Sequence, residues 1–148
     1  MTLKEIFPYK TGLTDTSTAE QLRAFESRFD VSLGEAYFDA LVAGLGGCYR
    51  ELTADFGDVR DDVDLLFGCE PSPEGSALGD AYQIDILNEG SAEVEWVPVG
   101  YTFVGAFLLL RSGRQWRRNL WYKAPRQPYA DLIHEDIDDF LRSFRPAD

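Results

Sequence analysis

The chain has 148 residues, 45% of them apolar and 14% aromatic, and a formal net charge of −12, which suits one domain with one core and excludes wholesale disorder. Its longest apolar stretch, Phe103 to Leu110, falls far short of the roughly 18–20 residues that cross a bilayer. The acid surplus repels nucleic-acid phosphates and anionic lipid and favours a basic partner.

Met1 to Glu5 has no apolar segment behind Lys4, so no secretory signal is expected and the expected compartment is the cytoplasm. Residues 1 to 16 read as an irregular lead-in broken by Pro8 and Gly12, followed by a single domain over 17 to 148. Ser17-Thr18-Ala19-Glu20 reads as a capping box, with Ser17 as the cap, and Leu22, Phe25 and Phe29 follow as the apolar stripe of a helix. Tyr37, Phe38, Leu41, Val42 and Leu45 mark a second helix, which Gly46-Gly47 is expected to end. Those glycines close a helix instead of following a strand, so Gly44-Leu45-Gly46 is no dinucleotide fingerprint.

Two short strands are expected at Tyr49 to Ala54 and Val63 to Phe67, joined by the acidic loop Asp55 to Asp62, with a further loop at 69 to 79. Residues 80 to 88 fit either element: Tyr82, Ile84 and Ile86 alternate as in a strand, while Leu78, Tyr82 and Ile86 share a helical face. Tyr101 to Leu110 is apolar on both alternating faces and reads as a central strand covered on both sides. Arg111 to Arg114 then turns into a strand from Gln115 to Lys123, buried on the Trp116, Arg118, Leu120 and Tyr122 side. Ile137, Phe140, Leu141 and Phe144 form the stripe of a last helix, capped by Asp136 and stopped by Pro146. The sum is an α+β domain with a mainly antiparallel sheet flanked by helices.

Charge is unevenly placed. Residues 111 to 126 hold six basic residues and no acid, leaving eight basic residues against all 26 acids elsewhere. The basic, aromatic run Arg114 to Lys123 is the strongest argument for nucleic acid. The acidity of the rest opposes it, and the bland alternative is a strand whose arginines pair with neighbouring acids.

Catalytic signatures are absent: no Gly-x-Ser-x-Gly, Ser-x-x-Lys or His-Glu-x-x-His occurs. The sole histidine, His134, reads as a surface or strand-end residue, and Cys48 and Cys69 as reduced core thiols too far apart for a CxxC pair. Asp55, Asp58, Asp61, Asp62 and Asp64 lack the alternating order of a calcium loop and read as a solvated acidic loop. No cofactor and no metal are expected.

Together these motifs resemble the SUKH superfamily, the Smi and Knr type domains. Phe25-Glu26 lies on the first helix, and Leu33, Tyr37 and Gly46-Gly47 lie on and after the second. Trp96, Pro98, Gly100 and Gly105 precede the hydrophobic strand, and Ile133, Asp136, Ile137, Phe140 and Leu141 close the pattern, so the resemblance spans roughly residues 18 to 144. The chain departs at Gly34, where proline is usual, at Ala106, where a polar or acidic residue is common, and at Asp136-Ile137 in place of Ser-Phe. Asp caps as well as Ser, and Ile fills much the same site as Phe.

What the resemblance implies is an immunity protein that binds and neutralises a cognate bacterial toxin domain without catalysis. Trp96, Pro98 and Gly105 are expected to serve the fold. The contact candidates come from charge: Asp55, Asp58, Asp61 and Asp62 of the acidic loop, with Glu93 and Glu95, would steer a basic toxin such as a nuclease. Solubility is the other reading of the same acids. Trp121 is either an interface anchor or covered by the last helix. The expected partner is a protein bound by a monomer, not nucleic acid or membrane. Alternatives are an interaction or scaffold module with an endogenous partner, or an enzyme with a cleft around His134 or paired carboxylates.

Overall fold

The computed structural model describes residues 1–12, 15–70 and 77–148. Among the described residues, helices α1 (Leu3–Ile6), α2 (Ala19–Phe29), α3 (Ala36–Val42), α4 (Ala81–Leu87) and α5 (Ile137–Arg142) accompany nine strands. These are β1 (Lys10–Thr11), β2 (Gly47–Tyr49), β3 (Leu52–Thr53), β4 (Val63–Leu66), β5 (Trp96–Thr102), β6 (Phe107–Arg111), β7 (Leu120–Lys123), β8 (Asp131–His134) and β9 (Arg145–Pro146). Seven strands form one antiparallel sheet in the order β1-β2-β4-β5-β6-β7-β8, and β3 pairs with β9 apart from it. The α+β expectation is met. No helix of the described residues is long and apolar enough to cross a membrane.

The lead-in is more ordered than its composition implied. Thr2 and Glu5 form a capping box at α1, Ile6 is fully buried, and β1 is the edge strand of the sheet. At α2 the capping box belongs to Thr18 and Gln21, one residue beyond the expected Ser17 and Glu20. Ser17 is occupied elsewhere, its Oγ accepting from the Cys69 amide at 3.0 Å. Helix α3 ends at Val42, so Gly46 and Gly47 lie beyond it and Gly47 opens β2.

The expected strand at 49 to 54 is two pieces, β2 and β3, in different sheets, because Glu51 turns the chain with a left-handed φ of 61°. The ambiguous residues 80 to 88 are helical, with Asp80 accepting the Gln83 amide as cap. Of the loop expected at 69 to 79, residues 71 to 76 lie outside the described residues.

Tyr101 to Leu110 is no single strand. The Gly105 amide donates to Thr102 O at 2.9 Å, closing a tight turn between β5 and β6, with Phe103 and Val104 at its tip. Phe103 is 77% exposed, although an apolar turn reads by periodicity as continuous strand. Similarly, the expected strand 115 to 123 is only β7, preceded by a 3-10 turn at Arg114–Trp116 and by Arg118 in the left-handed region. Helix α5 stops at Arg142, and Pro146 sits in β9.

One core holds the domain together. Val97, Val99, Leu108, Leu110, Leu120 and Tyr122 of the central strands join Leu22, Phe25 and Phe29 of α2, Tyr37 and Leu41 of α3, and Ile137 and Phe140 of α5. Opposed residues of an antiparallel pair share a side of the sheet. Trp96 opposite Arg111, and the row Pro98, Leu109, Trp121 and Leu132, therefore lie on the other side. Trp96 is half-buried there and outside the core cluster, contrary to the core role expected of it. Pro98 is buried in β5, and Gly105 is an exposed turn residue.

Helix α3 has no cap of its own at Glu35 and takes one from α5. Asp138 accepts from the Tyr37 amide at 2.9 Å and the Glu35 amide at 3.2 Å, and Arg118 Nη2 lies 2.7 Å from its second oxygen. This arrangement accounts for Gly34. Its φ is +71°, and a side chain there would place Cβ 2.5 Å from Asp138 Oδ1.

Candidate functional site

The seven contact candidates fall into two grooves. Asp55, Asp58, Asp61 and Asp62 line one of about 520 Å3, together with Arg145, Ala147 and Asp148. Glu93, Glu95 and Trp121 line another of about 700 Å3.

The acidic loop is not merely solvated. Asp61 is 8% exposed, so it presents no surface for a partner and is corrected from contact residue to framework. Its Oδ2 accepts from the Tyr122 hydroxyl at 2.8 Å, and its Oδ1 accepts from the Asp62 amide at 2.8 Å and the Val104 amide at 3.3 Å. Its backbone oxygen takes the Thr53 hydroxyl at 2.5 Å. Burial first, then the bond to Asp61, pushes the Tyr122 hydroxyl up to about 12, so it stays a donor at neutral pH. Burial and the Asp61 charge also raise Asp64 above the usual carboxylate range.

Asp55 anchors the other end of the loop. Its amide donates to Ser143 Oγ at 2.9 Å and its Oδ1 accepts from the Gly57 amide at 3.0 Å. Its backbone oxygen meets His134 Nε2 at 2.7 Å. A carbonyl only accepts, so His134 carries its proton on Nε2 in this bond. The histidine stands at the end of β8 with its ring 5.8 Å from Phe140, tying the strand to the loop.

These bonds leave Asp58 exposed and Asp62 half-buried on a framed loop. Beside it stands the apolar tip of the β5-β6 turn, where the Phe103 amide donates to Asp62 O at 2.8 Å. Val104 is 53% and Val59 44% exposed. Neither Phe103 nor Val104 was expected at a surface, and the usable signal was Gly105 three residues after Thr102.

The second groove lies on the side of the sheet away from the core. The Arg111 guanidinium sits 4.0 Å from the Trp116 ring centroid, 5.2 Å from Trp96 and 5.4 Å from Trp121, and bonds Glu95 at 2.7 Å. Trp121 stands nearly edge-on to both other indoles. It is thus half-buried in an aromatic cluster and not covered by the last helix. Of the basic run, Arg111 and Arg118 pair with acids; Arg114, Arg117, Lys123 and Arg126 form no ion pair among the described residues.

Cys69 is half-buried and its thiol is raised, by burial first and then by Glu70, which disfavours the thiolate. Among the described residues no group of three or more His, Cys, Asp or Glu side chains is placed to hold a metal ion. No family model, no curated protein and no solved structure matches the chain.

Proposed function

We propose that this chain is a cytoplasmic, non-catalytic immunity protein of the SUKH type. It binds and neutralises a basic bacterial toxin domain through the acidic loop and the adjacent apolar tip. The observation that carries the reading is the framing of that loop. The Asp61 side chain and the Asp55 backbone bond inward, so Asp58, Asp62, Phe103 and Val104 are held in place before a partner arrives. Preorganisation lowers the ordering cost of association, and exposed acids raise its rate with a basic partner. Nuclease toxins are often basic, because lysine and arginine neutralise the phosphates they bind.

Two further observations support binding over chemistry. His134 is engaged by a backbone carbonyl, and burial raises the half-buried Cys69 thiol, which disfavours the thiolate.

Stoichiometry tests the proposal. The reading requires a cognate toxin domain, which should be inhibited in proportion to added protein, with full protection at equimolar amounts and a stable complex on gel filtration. Complete protection at roughly a hundredth of an equivalent, far below what a binder in slow exchange can occupy, would show turnover and reject the binding mechanism. Absence of any complex would reject it equally.

A further inference from the structure

All three tryptophans of the chain line the groove on the side of the sheet away from the core. Its volume of about 700 Å3 falls within the roughly 300–1,000 Å3 typical of ligand sites. Arg111 shows which group these walls accommodate: its guanidinium lies among three indoles with Glu95 at its end. Two more carboxylates, Glu89 and Glu93, line the groove; both are exposed and neither has a cation partner among the described residues. Tyr129, 56% exposed, adds an aromatic ring with no cation over it among the described residues.

Open aromatic surface beside unpaired carboxylates is the chemistry that recognises a guanidinium, which stacks on rings and takes a carboxylate in a planar fork. Lys123 lines the groove from β7, so an incoming cation is best placed against residues 89 to 93. We propose that this groove binds an arginine-bearing peptide segment, its guanidinium held between Glu89, Glu93 and the Tyr129 ring. An anionic ligand would meet the two carboxylates first. The groove would bind such a segment whether or not the chain is an immunity protein.

Because every tryptophan lines the groove, indole emission reports on the surroundings of its walls. An oligo-arginine peptide titrated into the intact protein should change the emission saturably, and oligo-lysine should bind more weakly. The Glu89→Gln/Glu93→Gln double variant and Tyr129→Ala should each weaken binding about ten-fold. Asp58→Asn/Asp62→Asn, in the other groove, should change it by less than about two-fold. All these positions are exposed or half-buried and outside the core cluster, so far-ultraviolet circular dichroism should confirm retained fold. No emission change, equal binding of oligo-glutamate, or loss that follows Asp58 and Asp62 instead of Glu89 and Glu93 would each overturn the assignment. None of these results bears on toxin neutralisation.

Discussion

Asp138→Ala should lower stability by about 3 kcal/mol, because it leaves two amides at the start of α3 without their acceptor and removes one of the two carboxylates that Arg118 bonds, Asp136 being the other. The Asp138 side chain is 3% exposed while that of Arg118 is 34% exposed. Arginine keeps Asp136 and can regain water, whereas the Tyr37 amide, on a buried residue, cannot. A loss of this size is a large share of the roughly 5–15 kcal/mol that holds a domain folded. Burial opposes ionisation of Asp138, but the amides of Tyr37, Ala36 and Glu35 and the Arg118 charge together hold its carboxyl below the usual aspartate range. A lowered folded value means that the contribution is fully present above the unfolded value of about 4 and is lost as pH falls through the folded one. Urea denaturation as a function of pH should show wild type losing this part of its stability below about pH 4, and Asp138→Ala lacking that part of the slope. A loss under about 1 kcal/mol at neutral pH would show that α3 does not depend on its remote cap.

Gly100→Ala should be comparably damaging for a different reason. Gly100 lies in β5, the middle strand of the sheet, opposite Leu66 on one side and Leu108 on the other. A Cβ there would stand 2.5 Å from the Leu65 carbonyl oxygen and 3.2 Å from Leu66 Cδ2. A backbone oxygen cannot rotate away, so β4 and β5 must separate, at about 3 kcal/mol. Cellular abundance should fall before partner choice changes. Unchanged denaturation of Gly100→Ala would mean that the strands yield at no cost and that the close approach is not structural.

Elements with strong local signals were legible in the sequence, and those decided by distant partners were not. The α2 stripe, the β4 strand and the Asp136 cap follow from spacing and cap chemistry alone. Ser17-Thr18-Ala19-Glu20-Gln21 contains two overlapping capping boxes, and the choice falls to Thr18 because Ser17 is drawn to Cys69, 52 residues away. Apolar Phe103 and Val104 hid the β5-β6 turn, since a period-two reading expects turns to be polar. Asp61 looked like its acidic neighbours; the partners that bury it, Val104 and Tyr122, are 43 and 61 residues on. The tryptophan groove is half visible in the sequence, which offers the pair Glu93 and Glu95 for their charge and Trp121 for its ring; the sheet brings them together. Trp116 was assigned to a buried strand face because the 3-10 turn before β7 breaks the alternation that the sequence suggested.

The most direct test of the proposed function is the association rate of this protein with the purified toxin domain across a salt series. Exposed charges act over a screening length of about 8–10 Å at physiological ionic strength. Reversing Asp58 and Asp62 to Lys should therefore slow association about ten-fold or more at low salt, and the difference should shrink at high salt. Phe103→Ala should leave the association rate within about three-fold and mainly speed dissociation, as expected when an apolar anchor is lost. Tight binding with a salt-independent association rate, unaffected by the double reversal and by Phe103→Ala, would contradict the assignment of this face as the toxin-binding surface.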